Sequence, residues 1–289
     1  MLTGLLGAGF AVTGTWPVRT ERSGRSVSIG TAALASSIVL VCRPRPADAP
    51  VTARRDFVAS LRVELPDALK QLQHGNIAPV DLAQASIGPG MAIFSRYSKV
   101  IEANGDPMTV RAALGLINAA LDEILAEQEG DFDADTRFAV SWFEQHGIGE
   151  GDYGQADVLA RAKNTSVRGL EEAGILRSTR GKVQLLGRDA LPEGWDPASD
   201  RRLTVWEVTQ HLIRRLETQG ESAAADLLRR VGGLGEIARE LAYRLYVICE
   251  RKGWAQEALG YNSLVVSWPE IARQASEQQT GQTQQTLRV

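Results

Sequence analysis

The sequence is poor in cysteine: Cys42 and Cys249 are the only two, far apart and in no C-x-x-C pair. That excludes a zinc ribbon or a disulfide framework, and it fits a reducing, cytoplasmic setting. There is no excess of positive charge either, since 32 Lys and Arg face 35 Asp and Glu for a net charge of −3. A protein that coats nucleic acid through general positive potential is thereby excluded, although a local basic face is not. Long apolar runs are missing too. Ile29 to Cys42 spans about 14 residues, where a helical membrane crossing takes about 20. Met1 to Trp16 is mildly apolar but has neither a basic start nor a small-residue cleavage site. The expectation is a protein with no membrane segment.

Signatures of chemistry are absent as well. The chain has no G-x-x-x-x-G-K-S/T, no H-E-x-x-H, no G-x-S-x-G and no G-x-G-x-x-G following a strand. The glycines of "GLLGAGF" (Gly4 to Phe10) precede a strand, whereas a nucleotide loop follows one. His74, His146 and His211 are scattered, and the adjacent carboxylates Asp122–Glu123 and Glu171–Glu172 diverge around a helix. No catalytic residue, cofactor-binding residue or metal ligand is assigned.

What is present starts with two strands. Phe10 to Arg19 is rich in β-branched residues, and Pro17 places it near a sheet edge or a strand end. "SIVLVCR" (Ser37 to Arg43) is a continuous apolar run, which suits a strand covered on both faces. The prolines of "RPRPADAP" then stiffen the exit.

Helical periodicity dominates from there. Phe57, Leu61, Leu65, Leu69 and Leu72 mark a helix over Thr52–Gln73, with a break or kink expected near Pro66. Pro79–Tyr97 carries two short apolar segments around "IGPG". Thr109 caps a helix that Gly130 is expected to stop, and Asp133–His146 forms another that ends at Gly147. "TVWE" (Thr204–Glu207) is a capping box. It opens the first of four helical stretches, the last of which, Ala255–Gln274, is expected to be interrupted by Pro269. "SEQQTGQTQQTLRV" has no apolar periodicity and reads as disordered.

"QADVLARAKNTSVRGLEEAGILRSTRGKVQLL" (Gln155–Leu186) reads as helix, turn, helix and hairpin, the order of a small winged-helix-like unit. Thr165 or Ser166 caps the second helix, Gly174 ends it, and "STRG" turns the hairpin. Lys163, Asn164, Thr165, Ser166 and Arg168 gather at the second helix's start, with Arg177, Arg180 and Lys182 on the wing. These eight are the candidates for DNA contact. The competing reading is a packing or partner-docking module, since Glu171 and Glu172 put negative charge on the same short helix.

The opening strands carry a resemblance. "LLGAGFAVTGTWPVRTER" followed by "ALASSIVLVCRPR" resembles the last two strands of an adenine-specific DNA methyltransferase, of the large methylases described as containing a zinc ribbon. "LAQASIGPGMAIFSRY", "EGDFDADTRFAVSWFEQHG", "LARAKNTSVRGLEEAGIL" and "LAYRLYVICERKGWAQEALGYNSLVVSWPEI" resemble that family's C-terminal region. The resemblance covers nearly all of the chain apart from the glutamine-rich tail.

It implies S-adenosylmethionine as cofactor of the complete enzyme, methyl transfer to adenine N6, and a place among restriction-modification or phage-defence genes. The D/N-P-P-aromatic motif that holds a flipped-out base and the cofactor loop are both missing here, as are the zinc-ribbon cysteines. No site residue carries over, and the chain alone is expected to be inactive.

The resulting expectation is a mainly α protein with five parts. Residues 1–46 are a two-strand remnant of an α/β methyltransferase sheet, 47–150 a helical region and 151–195 the winged-helix-like unit; 196–275 form a helical bundle and 276–289 a disordered tail. Its partners would be DNA, a separate catalytic half or other defence-system proteins. The rival is a stand-alone helical adaptor that binds a protein.

Overall fold

A computed structural model describes residues 1–19, 36–127 and 132–286. The protein is mainly α, with eleven helices and three small sheets among the described residues. It divides into two compact units, Met1–Glu127 and Gln128–Val289.

In the first unit, α1 (Leu2–Gly7) leads into β1 (Phe10–Arg19), which pairs antiparallel with β2 (Ser36–Pro44). The connection between them lies outside the described residues. The register shifts between Val12 and Gly14, so Thr13 is a bulge. After β2 come β3 (Val51–Ala53), α2 (Arg54–His74), α3 (Pro79–Ser95), β4 (Lys99–Ile101) and α4 (Val110–Glu127), with β3 and β4 parallel. Phe57, Leu61, Leu65 and Leu69 of α2 are fully buried, as their spacing predicts. Pro66 sits inside a helix that continues past it.

The expectation of two short segments around "IGPG" needs correction, because α3 is one helix with Pro89 inside it. The flanking glycines explain the motif. A β-carbon on Gly88 would stand 1.9 Å from the Thr15 hydroxyl oxygen, and one on Gly90 would stand 2.6 Å from the Ile117 side chain. Two residues apart on a helix, the glycines face opposite ways. They let α3 press against β1 on one side and α4 on the other. Ser95 at the end of α3 accepts a 2.8 Å hydrogen bond from the Val12 N–H, so α3 also closes the bulge. Thr109 caps α4 by accepting from the Ala112 N–H; Gly130, expected as its stop, lies outside the described residues.

Among the described residues of this unit, the other face of the β1–β2 pair carries exposed apolar side chains. Trp16 pairs with Val39 and Gly14 with Val41. Trp16 is 65% exposed, Val39 50%, Val18 46% and Val41 38%.

The second unit runs α5 (Ala134–His146), β5 (Glu150–Asp152), α6 (Tyr153–Ala162), α7 (Val167–Glu172), β6 (Leu176–Thr179) and β7 (Lys182–Leu185). A bundle of α8 (Val205–Gln219), α9 (Glu221–Val231), α10 (Leu234–Lys252) and α11 (Ala255–Thr286) follows. Six aromatic residues of this unit are inside: Trp142, Phe143, Trp206, Tyr243, Tyr261 and Trp268 are all at most 2% exposed. Phe143 of α5 meets both Trp206 of α8 and Tyr261 of α11 edge-on, at 5.8 and 6.2 Å.

Three boundaries differ from expectation. The break between units falls at 127/128, so α5, expected within 47–150, stands in the second unit because its buried face packs there. Pro269 does not interrupt α11, and that helix runs to Thr286 instead of ending before 276. Gln, Glu and Ala propagate a helix well, and Arg273 braces it with ion pairs to Glu270 and Glu277.

Candidate nucleic-acid interface

The candidate residues sit on a short, heavily capped scaffold. Asp133 N-caps α5 by accepting from the Thr136 N–H at 2.8 Å, and Asp152 caps α6 by accepting from the Gly154 N–H. Asn164 turns the chain between α6 and α7 with a positive φ of 60°. Ser166 rather than Thr165 caps α7, accepting from the Gly169 N–H. Gly174, at φ +71°, ends α7 as its sequence position predicts. The three strands form an antiparallel sheet in the order β5-β7-β6. Helix, strand, two helices and a hairpin packed in this order are the arrangement of a winged helix. The strand β5 and the helix α5 that complete it were not among the sequence expectations for the unit.

Thr165 is taken by the scaffold. Its hydroxyl donates to Asp135, which is 5% exposed and also receives two hydrogen bonds from Arg202, at 2.6 and 2.9 Å. Burial alone would raise the Asp135 carboxyl, but the bonds from Arg202 and Thr165 outweigh it and hold the group below its ordinary value. Next to it, the Val205 N–H donates to Asp133 and the Trp206 N–H to the Thr136 hydroxyl. The helix-turn-helix corner is thereby locked to the start of α5 and the start of α8. Sequence reading missed this clamp, because residues 135, 165 and 202 are remote along the chain. The only local signal was the acidic, cap-forming "DFDADT".

The capping box at α8 is present, with the Glu207 N–H donating to the Thr204 hydroxyl at 3.2 Å. Its carboxylate is 3% exposed and accepts from that same hydroxyl at 2.9 Å. Burial, with added repulsion from Asp200 and Asp133, pushes Glu207 up to about 8. One turn on, His211 stacks on Trp195 with ring centres 4.0 Å apart, and burial beside Arg214 and Arg215 pushes it down to about 4. Both groups are thus held mainly neutral inside the unit near pH 7.

The remaining candidates lie outside. Arg168 pairs with Glu172 at 2.8 Å, Arg177 donates to the Gln184 side chain at 2.6 Å, and Lys182 stands 3.9 Å from Asp152. Lys163 terminates α6, and Asn164 is exposed in the turn. Arg180 is exposed at the hairpin tip and makes no hydrogen bond or ion pair among the described residues. Because β7 pairs with β5, Lys182 and Gln184 stand opposite Asp152 and Glu150. The charge on that sheet face is therefore largely balanced. The structure brings Arg177, Arg180 and Lys182 together on one hairpin and assigns Thr165 and Ser166 to the fold.

No group of three or more His, Cys, Asp or Glu side chains among the described residues could hold a metal ion, and no described helix is long and apolar enough to cross a membrane. The family described as Domain of unknown function (DUF8807) matches residues 133–287. The chain belongs to this family. The match opens on Asp133, the N-cap of α5, and takes in the whole winged arrangement and the bundle. No curated protein and no solved structure matches the chain.

Proposed function

We propose that this chain serves as the target-recognition and scaffolding region of a DNA adenine-N6 methyltransferase whose catalytic motifs lie outside this sequence. The observation that carries the reading is the exposed apolar face of the β1–β2 pair in the first unit. An apolar strand pair with α3 against one face has the other face open among the described residues, which fits strands of an α/β sheet whose second covering layer lies elsewhere. The resemblance of those strands to a methyltransferase sheet supports that reading, and the winged arrangement of the second unit offers a module suited to duplex DNA.

S-adenosylmethionine finds no fit among the described residues. Gly4 and Gly7 are locked into α1, ahead of β1, and form no loop after a strand. The cofactor is therefore left to the complete enzyme, and no step is derived through it. The test is the coding frame 5′ to the Met1 codon and in the adjacent genes. A glycine-rich loop followed by a D/N-P-P-aromatic motif there supports the reading, and its absence from both overturns it.

A specific observation favours the adaptor reading. Two of the candidate cations are paired with carboxylates, and α7 exposes Glu171 and Glu172. Titration of the full chain against duplex DNA at low salt separates the two. Salt-dependent binding supports target recognition, and no binding supports the adaptor.

A further inference from the structure

The β6–β7 hairpin turns through only two residues, since Thr179 pairs with Lys182. Both central residues, Arg180 at φ 51° and Gly181 at φ 76°, have positive φ, as a type I′ turn requires. Glycine accepts that region freely and asparagine tolerates it, but other side chains bring their β-carbon too close to the backbone. Among the described residues three non-glycines have positive φ, and the other two are Asn76 and Asn164. Arg180 is the one whose residue type does not suit its backbone.

Nothing in the fold repays this. The Arg180 guanidinium has no partner among the described residues, while its neighbours Arg177 and Lys182 face Gln184 and Asp152. The tip is nevertheless held firmly. The Tyr153 N–H donates to the Gly181 carbonyl at 3.0 Å, and the Ser178 N–H donates to Glu171 at 2.9 Å. A strained backbone carrying an unpaired cation on a pinned tip is a local rule broken without structural compensation, which is the pattern of a contact residue.

We infer that Arg180 is the principal anion-contacting residue of the wing, presented in advance to a phosphate of duplex DNA. This rests on the target-recognition reading above and narrows it from eight candidate residues to one. A guanidinium suits the task, because it stays charged and offers a planar fork to phosphate oxygens.

The experiment compares the full chain with Arg180→Asn and Arg180→Lys in binding a fluorescent 20-base-pair duplex across a salt series, alongside thermal unfolding of each protein. Asn relieves the turn and removes the charge, whereas Lys keeps both charge and strain. Arg180→Asn is expected to raise the unfolding midpoint by about 2 °C. It should also weaken binding roughly tenfold and lower the log–log salt slope by about 0.9. Arg180→Lys should keep the wild-type midpoint and most of the salt slope. A midpoint that falls in Arg180→Asn would mean that the arginine supports the fold, which overturns the inference. Wild-type binding that Arg180→Asn leaves unchanged also overturns it, yet leaves target recognition standing. No binding by the wild-type chain removes both.

Discussion

The two units place tryptophan differently. In the second, Trp142, Trp206 and Trp268 are at most 2% exposed and their helices close around them. In the first, Trp16 is 65% exposed on the face of the sheet that α3 does not cover. The second unit finishes its own core, and the family match over residues 133–287 falls on that unit. The first unit, among the described residues, has a two-stranded sheet with α3 packed against one face. An indole of the same size is therefore placed differently in each: one is core, and the other stands at the surface among the described residues.

The sharpest test of this contrast is a pair of tryptophan truncations. Trp206→Ala should cost about 3–5 kcal/mol in denaturant unfolding, because it removes a buried indole and leaves a cavity. Trp16→Ala should cost less than about 0.5 kcal/mol. Equal losses would break the comparison.

The second unit's buried titratable groups should make its stability depend on pH. Glu207 has a folded value raised from 4.5 to about 8, so its contribution is complete below 4.5 and is lost as pH rises through 8. His211 is lowered from 6.5 to about 4, so its contribution is complete above 6.5 and is lost as pH falls through 4. Between about pH 6.5 and 8 only the Glu207 term is changing. Stability should fall there by about 2 kcal/mol, and Glu207→Gln should flatten the profile. A fall of the same size in the variant would assign the effect elsewhere.

Arg202→Ala leaves the Asp135 carboxylate with Thr165 alone. Because the Arg202 side chain is 44% exposed, solvent screening tempers the loss to about 1–2 kcal/mol. The signature to look for is local, an earlier onset of amide exchange in the α6–α7 turn. The smallest effect belongs to the first unit. Trp16→Ser combined with Val39→Thr and Val41→Thr should change stability by no more than about 1 kcal/mol while raising solubility, measured as the protein concentration at which light scattering begins. If the triple variant unfolds, that face is already covered and part of the core.

Much of this was legible one element at a time. The leucine ladder of α2, the Thr109 and Thr204 caps, Gly147 and Gly174 as helix ends and the "STRG" turn all depend on residues within a few positions of one another. The errors had a common source. Proline at 89 and 269 reads as a break and at 66 as a break or kink, yet α2, α3 and α11 carry their prolines inside unbroken helices. Packing on neighbouring elements can outweigh one lost backbone hydrogen bond. Of the eight candidate contacts, sequence reading could place all on one module but could not tell which were free. Thr165 and Ser166 went to the fold, and Arg168, Arg177 and Lys182 found local partners.

The sequence by itself determined most of the long helices, the first two strands, the mainly α class and the absence of the common catalytic signatures, because periodicity, caps and motifs are short-range. Only the tertiary structure decided three further matters: that "IGPG" is a helix squeezed between a strand and another helix, that Asp135, Thr165 and Arg202 form one clamp, and that Arg180 stands unpaired in a conformation costly to it. Each depends on groups far apart in the chain meeting at contact distance, or on a backbone angle set by pairing with another strand. Neither is written in any local run of residues.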